Sequence, residues 1–228
     1  MTIAQVHSAD LGGGAEEMAW MMHRQFREMG QDAYLFVGRK HRDDPHIFEL
    51  PAIQRWKGEH RVKRFLERLL GLQYLYAPAS SRILDFSPRR PTVLLVHSLH
   101  GSGGYFDILD LVTLSRKQPT FLYLQDQWLM TGHCAYSLGC ERWRTACGKC
   151  PSLGLYPPLA RDGTRLNWCR KWFALRCSQL TIGSPARWIL DLAGRSPILS
   201  RFDQFYIPNA VDLSIFKPGD KRAARVRL

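Results

Sequence analysis

The sequence lacks any uncharged apolar run of the roughly 18 residues that a membrane-spanning helix needs. Its first residues, MTIAQVHSADLGGG, have neither the basic start nor the apolar core of a secretion signal. Internal repeats and low-complexity tracts are also missing. These absences argue against export and against a repeat architecture, and they predict a cytoplasmic protein. At 228 residues and 45% apolar content, the chain can bury one large core or two small ones.

Acidic residues are few compared with basic ones. The chain has 20 Asp and Glu against 32 Lys and Arg, which gives a net charge of +12. This excess predicts anionic partners, but it does not choose among nucleotide phosphates, nucleic acid and an acidic lipid surface. The basic residues are spread along the chain rather than bunched, which indicates a basic face more than a basic arm.

Cysteine is scarce except in one stretch. The chain has six cysteines, and four of them lie close together: Cys134, Cys140, Cys147 and Cys150. In a reducing compartment such clusters are more often metal sites or reactive thiols than disulfides. The spacing C-x5-C-x6-C-x2-C fits a closed, tetrahedral, structural zinc site. Thiols without a metal and a redox pair at Cys147 and Cys150 are the alternatives, and His133 is an alternative ligand.

Short apolar runs separated by helical patterns predict a parallel sheet. TIAQVH indicates a first strand, a glycine turn leads into an amphipathic helix, and DAYLFVG indicates a second strand. A βαβ unit with its glycine turn at the first strand-to-helix junction is typical of Rossmann-like, doubly wound α/β folds. PTVLLVH, PTFLYLQDQW and SQLTIG add further strands, and Ser184-Pro185 predicts the N-cap and first residue of the next helix.

Parallel sheets bind their ligands at the carboxyl ends of the strands. Several polar and glycine residues follow predicted strand ends in this sequence: His7, Gly12, Gly13, Gly14, His97, His100 and Asp126. The glycine turn lets backbone N–H groups approach a ligand, and the helix N-terminus behind it favours a phosphate. The alternative is a turn that only packs strand against helix. For Asp126, a bond to a substrate hydroxyl and a structural N-cap are both open.

This α/β pattern explains more of the chain than a zinc-containing nucleic-acid binder would. That rival rests on the positive charge and on Tyr136 and Trp143 among basic residues. Nucleic acid is therefore not predicted as a partner.

The stretch WKGEHRVKRFLERLLGLQYLY, residues 56–76, predicts an amphipathic helix with basic residues among its apolar ones. Two interpretations are open. The helix either packs its apolar face on the core or lies on an anionic membrane surface.

Nine strings, in this order, carry a resemblance to a known family: GGAE, LVHSLHGSGGYF, QDQW, TGHCAY, CERW, CGKCP, LYP, ARWIL and IPNAVD. Together they resemble the N-terminal half of a family 4, GT-B type glycosyltransferase, in particular the bacterial group that builds exopolysaccharide of the colanic-acid kind. The resemblance covers essentially the whole chain. It implies a retaining enzyme with two Rossmann-like domains across a cleft, which transfers a hexose from a nucleotide-sugar to a saccharide or polyprenyl-linked saccharide.

On this resemblance, residues 1–207 form the acceptor-side domain, and residues 131–158 within it form a cysteine-rich, zinc-binding insertion. Residues 208–228 are then a linker toward a C-terminal donor-binding domain that the sequence does not contain. A separately encoded C-terminal half is accordingly a predicted partner. The protein is expected in the cytoplasm, peripherally at the inner face of the membrane.

The predicted catalytic residues are His97, Gln125 and Asp126. The predicted substrate-binding residues are Gly12, Gly13, Gly14, Glu16 and His100. Where the family tends to carry His-Asp, this chain has Gln125-Asp126. Glutamine can hydrogen-bond a hydroxyl, but it cannot take or give a proton near pH 7. The alternative function is therefore a catalytically inactive remnant, or a binding subunit that needs a separate C-terminal half.

Overall fold

A computed structural model describes residues 1–50, 59–75, 77, 80–101, 104–211, 213 and 216–227 of the chain. Within these residues the strands are β1 (Thr2–Ala9), β2 (Asp32–Arg39), β3 (Ile47–Glu49), β4 (Val93–Val96), β5 (Thr120–Tyr123), β6 (Leu180–Ser184) and β7 (Gln204–Tyr206). The α-helices are α1 (Gly14–Glu28), α2 (Glu59–Leu70), α3 (Ile83–Phe86), α4 (Asp110–Lys117), α5 (Thr164–Arg176), α6 (Arg187–Arg195) and α7 (Lys221–Arg227). No helix in the described ranges is both long enough and apolar enough to cross a bilayer.

The strands form one parallel sheet in the order β3-β2-β1-β4-β5-β6-β7. The chain builds outward from β1 to β3, returns to place β4 beside β1, and then builds outward on the other side to β7. This is the strand order of a doubly wound sheet, and its topological switch point lies between β1 and β4. The predicted Rossmann-like α/β fold is confirmed.

Successive side chains of a strand point to opposite faces of the sheet. Both faces of this sheet are buried. Val6 and Leu94 face the main core. On the other face, Met18 of α1 packs against Leu95 and Tyr123. Helices thus cover both faces, which explains why the strands read as nearly continuous apolar runs.

Two local features differ from the predictions. The short strand β3, which pairs with β2, has too little sequence pattern to be predicted. The predicted helix start at Ser184-Pro185 is wrong, because α6 begins at Arg187 after an extended Ala186. The Ser184 hydroxyl instead accepts the Ala186 N–H at 3.2 Å, so that it caps a turn before the helix.

Helix α2 does not pack its apolar face on the core. Five of its apolar side chains are exposed, by 39% to 63%: Val62, Phe65, Leu66, Leu69 and Leu70. The structure therefore contradicts the core-packed interpretation of this helix. The ends of the predicted helix, residues 56–58 and 76, lie outside the described residues.

The end of α2 is held against the segment that precedes α5. Gly71 has φ +65°, and a Cβ built on it would lie 2.0 Å from the carbonyl oxygen of Arg161. A residue with a Cβ would clash with this carbonyl, so only glycine allows the two backbones to approach so closely. Asn167 of α5 adds two bonds, to Gly71 O at 2.9 Å and from Gln73 N at 3.0 Å.

Residues 124–163 connect β5 to α5 with a single 3-10 turn, Arg142–Thr145, as regular structure. Such a connection is much longer than the usual few residues between elements. Side chains from elsewhere fix it: Trp168 Nε1 donates to Trp143 O at 2.8 Å, and Gln73 Nε2 donates to Pro157 O at 3.1 Å. The connection is therefore packed against the domain rather than free of it.

Candidate functional site at the carboxyl edge of the sheet

The switch point places the carboxyl ends of β1 and β4 side by side, with β5 next to β4. The crevice outside these ends is where a doubly wound sheet binds its ligands. The predicted site residues lie along this edge in three groups: His7 with His97, Glu16 with the glycine turn, and His100 with Gln125 and Asp126.

His7 and His97 lie side by side beneath the crevice, at the ends of β1 and β4. Their ring centroids lie 5.6 Å apart, both rings are buried, and His97 Nε2 is 3.1 Å from Gln5 Oε1. Burial disfavours the imidazolium form, so the pKa of His7 falls to about 4 and the pKa of His97 falls well below its ordinary value. Both rings are therefore neutral near pH 7. His97, with 2% of its surface exposed, lies beneath the crevice rather than in it.

His100 and Asp126 form a pair that joins two loops. His100 Nε2 lies 2.7 Å from Asp126 Oδ2, and their side chains are 10% and 18% exposed. The other carboxylate oxygen, Oδ1, accepts the Trp128 N–H at 2.7 Å. Both proposed roles of Asp126 are thus compatible with its geometry, because it caps a turn and still presents part of a carboxylate to the crevice.

The ring of His100 packs between two aromatic side chains. The Trp128 ring centroid lies 5.6 Å from it, and the Tyr156 ring meets it edge-on at 5.5 Å. His100 Nδ1 is buried and has no hydrogen-bond partner among the described residues. The imidazole therefore orients Asp126, and the carboxylate is the member of the pair that a ligand can reach.

Gln125 lies next to Asp126 at the end of β5. Its Oε1 is buried and has no hydrogen-bond partner in the part of the chain that the structure describes. A buried acceptor without a donor costs about 1–3 kcal/mol. A ligand hydroxyl would recover that free energy if the side chain turned toward the crevice, and an amide can bind a hydroxyl but cannot move a proton near pH 7.

The glycine turn is occupied by a side chain of its own helix. Gly12, Gly13 and Gly14 are exposed, but Gly13 N donates to Glu16 Oε2 at 2.9 Å. The Ser8 hydroxyl donates to Glu16 Oε1 at 3.3 Å. A carboxylate at the N-terminus of α1 satisfies one of the free N–H groups and repels an anion. A phosphate at this turn would therefore require the Glu16 side chain to rotate away.

The four clustered cysteines line one small cavity, about 30 Å³ in volume, together with His133, Arg142 and Trp143. Gly132 N donates to Cys147 Sγ at 3.2 Å, and Cys150 Sγ lies 3.4 Å from His133 Nε2. All six cysteines of the chain are free thiols. Zinc needs its sulfur ligands about 2.3 Å from one point. Within the described residues, no three His, Cys, Asp or Glu side chains are arranged to hold a metal ion.

The thiols lie close enough to influence one another. Burial raises the pKa of Cys134 and Cys150, and it raises that of Cys147 to about 11. The negative charges of Cys134 and Cys140 contribute to the raised Cys147 pKa after burial. Cys147 sits in a run of left-handed backbone, Ala146 to Lys149, which bends the chain sharply around the cavity.

Lys171 of α5 fixes the start of this segment and was not predicted. Its side chain is buried, and Nζ donates to Trp128 O at 2.7 Å and to Thr131 O at 3.1 Å. The ammonium also lies 3.5 Å from the centre of the Trp128 ring, which favours a cation. Burial lowers the pKa of Lys171 well below its ordinary value. No sequence pattern marks this contact, since it joins a helix to a loop through space.

Known proteins match the chain both in sequence and in structure. No protein-family model matches the chain. The chain is 32% identical over 114 residues to "Putative colanic acid biosynthesis glycosyl transferase WcaC" of Escherichia coli (strain K12), which covers 44% of this chain and 27% of that protein. The crystal structure of TcCGT1 in complex with UDP superposes with a TM-score of 0.48 at 8% identity, over 99% of this chain and 54% of that one. The resemblance to colanic-acid-type glycosyltransferases is confirmed by the first match, and the chain spans only about a quarter of that relative.

Proposed function

We propose that this chain forms the acceptor-side domain of a retaining glycosyltransferase. The enzyme transfers a hexose from a nucleotide-sugar to a saccharide or lipid-linked saccharide in the synthesis of a cell-surface polysaccharide. The 32% identity to the WcaC protein carries the proposal. The geometry supports it, because a partly exposed carboxylate and an unpartnered amide oxygen lie together at the ligand edge of the sheet.

In this proposal Asp126 receives a hydrogen bond from an acceptor hydroxyl. His100 holds the carboxylate from behind at 2.7 Å, and the Trp128 N–H holds its second oxygen. Gln125 Oε1, which is buried, would offer a second acceptor after its side chain turned toward the crevice. The glycine turn Gly12–Gly14 faces the donor after Glu16 has moved.

The alternative is an inactive remnant, or a binding subunit that works with a separately encoded C-terminal half. Two observations favour it. Gln125 replaces the histidine that the family tends to carry, and Glu16 occupies the turn expected to meet the donor phosphates.

The test is a transfer assay with UDP- and GDP-sugars. We expect no transfer by the isolated chain, because a cleft enzyme forms its transition state between two domains. Fusion of a related nucleotide-sugar-binding domain after Pro218 is expected to restore transfer, and Gln125→His in the fusion is expected to raise the rate. Transfer by the unfused chain would contradict the half-enzyme proposal, and a fusion that is folded, binds nucleotide-sugar and never transfers would favour the inactive alternative.

The exposed face of α2 supports a membrane-surface role, which we propose for this helix at the cytoplasmic leaflet. Phe65 and Leu69 are 63% and 39% exposed, and the helix sequence carries Arg61, Lys63, Arg64 and Arg68 among them. An amphipathic helix of this kind lies in the plane of an anionic interface. The bond from Gly101 N to Tyr74 OH at 3.1 Å connects the segment that follows α2 to the His100 loop. A lipid-linked acceptor would thus be presented near the crevice.

We expect the chain to bind vesicles of phosphatidylglycerol and phosphatidylcholine, and to leave them at 0.5 M salt because charge attraction is screened. Phe65→Ser with Leu69→Ser is expected to weaken binding about thirtyfold, since partial burial of each side chain contributes about 1 kcal/mol. Leu138→Ser, at a side chain that is 78% exposed elsewhere, is the matched control. Co-sedimentation with the vesicles measures the binding of the double variant and of the control. Equal binding to pure phosphatidylcholine, or equal binding by the double variant, would contradict the proposal.

We also propose that Cys134, Cys140, Cys147 and Cys150 hold a structural zinc ion. Their shared cavity and the C-x5-C-x6-C-x2-C spacing support this. In the described residues the side chains are not arranged around one point, so they would have to rotate toward the cavity centre to form the site. When bound, zinc would tie residues 131–158 together and would take no part in the transfer.

A further inference from the structure

Two exposed aromatic rings stack at the ligand edge of the sheet. Tyr136 and Trp188 have ring centroids 6.4 Å apart and ring planes 30° apart, and their side chains are 51% and 47% exposed. They come from different parts of the chain. Tyr136 belongs to the connection between β5 and α5, and Trp188 is the second residue of α6, just after β6 ends. Neither residue was predicted as part of the site.

The position of Tyr136 is fixed by the backbone on both sides. Gln127 N donates to Ala135 O at 2.7 Å, and Ala135 N donates to Tyr156 O at 2.7 Å. Ser137 N donates to Gln127 Oε1 at 2.5 Å. These bonds attach Tyr136 to the turn that follows Asp126, so the exposed ring is part of a built surface rather than a loose loop.

Tyr136, and with it the ring pair, belongs to the loop that follows the carboxylate of the site. Burial raises the pKa of Tyr136, and the negative charge of Asp126 raises it further. Tyr156, 59% exposed, packs edge-on against His100, and its pKa is raised by burial and then by the negative charges of Glu16 and Asp126. The partly exposed carboxylate therefore lies in the same region as two exposed phenols, one on the loop that follows Asp126 and one against its partner His100.

This combination suits a pyranose ring. A sugar ring presents a patch of C–H groups on one face and hydroxyl groups around its edge. The C–H hydrogens carry slight positive charge and are attracted to the negative face of an aromatic ring. The hydroxyls need hydrogen-bond acceptors, which Asp126 and Gln125 supply.

We propose that Tyr136 and Trp188 form the platform on which a pyranose ring of the saccharide acceptor stacks, with its hydroxyls directed toward Asp126. The inference rests on the proposed glycosyl transfer and names the subsite of its acceptor. A nucleobase also stacks on aromatic rings, and UDP is therefore included as a competing probe.

The platform is tested by binding, without any transfer. The isolated chain is titrated with β-linked tetrasaccharides of glucose or galactose, and binding is followed by saturation-transfer NMR and by chemical shifts of the Trp188 indole. We expect saturable, millimolar binding, a loss of at least fivefold in Tyr136→Ala and in Trp188→Ala, and near-normal binding in Tyr136→Phe and Trp188→Phe. Phe173→Ala, at an aromatic side chain of α5 that is 55% exposed, is the matched control and is expected to bind normally. Thermal melting confirms that each variant is folded.

Three results would overturn the platform: no saturable binding of either tetrasaccharide, equal binding by the alanine variants and the Phe173→Ala control, or displacement of the sugar from the rings by UDP. The proposed function fails differently. If the fused enzyme never transfers a sugar but the alanine variants lose tetrasaccharide binding, the platform stands and the transferase proposal falls. If the fusion transfers sugar with an unchanged acceptor KM in both alanine variants, only the platform falls.

Discussion

Protein purified without chelators is expected to contain close to one zinc ion per chain, and the double variant Cys147→Ser, Cys150→Ser is expected to contain almost none. The two residues are the C-x2-C end of the cluster, and serine cannot replace a thiolate in a tetrahedral sulfur site. Elemental analysis of the folded protein gives the metal content directly.

The stability effect should be large because metal binding is coupled to folding. At free zinc about a thousand times above Kd, a bound ion stabilises the folded state by about 4 kcal/mol. For a chain of this size, that corresponds to roughly 8–16 °C in Tm. Loss of the ion should also expose the 131–158 segment to proteolysis, since residues 124–163 have little regular structure of their own.

Cys169→Ser, Cys177→Ser is the matched control, because it removes two thiols that lie outside the cavity. It should keep the zinc and the Tm. Metal-free protein whose Tm equals that of the double variant would contradict the zinc proposal. A Tm that rises on oxidation and falls with reductant would instead favour the redox pair at Cys147 and Cys150.

The fold could be predicted because its signals are local. The βαβ pattern, the glycine turn before α1 and the apolar runs of β4 and β5 each follow from a few neighbouring residues. Strand β3 was missed because three residues carry too little pattern. The sequence left two positions open for α2, because an amphipathic pattern shows which face of a helix is apolar but not what that face contacts.

The sequence predicts where the site lies, but it does not predict which side chains contact one another there. Strand ends locate His100 and Asp126 at the same edge, but their 2.7 Å contact depends on how two loops approach each other. The same holds for Glu16 on the glycine turn and for Lys171 under Trp128. Tyr136 and Trp188 lie 52 positions apart in the sequence and give no joint signal before the fold is known.

In the fused enzyme, Asp126→Asn is expected to lower kcat at least a hundredfold with little change in Tm. Asparagine keeps the shape of the side chain and an oxygen that can accept the Trp128 N–H, so the turn after β5 should persist. What it loses is the negative charge. A retaining transfer passes through a sugar with developing positive charge, as in glycoside hydrolysis, and preorganised charge next to such a centre contributes two to three orders of magnitude.

The same prediction separates catalysis from positioning. Asp126→Ala should lose both the charge and the turn, and so it should lower Tm as well as kcat. His100→Gln, which removes the imidazole behind the carboxylate, should lower kcat by only about tenfold, because the charge remains but is less well oriented. Asp85→Asn removes a carboxylate from an exposed pair with Arg82 and serves as the control, with kcat and Tm unchanged. If Asp126→Asn keeps its kcat while Asp126→Ala loses Tm, then the carboxylate is only a cap for Trp128, and the reacting groups must be sought on the donor side of the cleft.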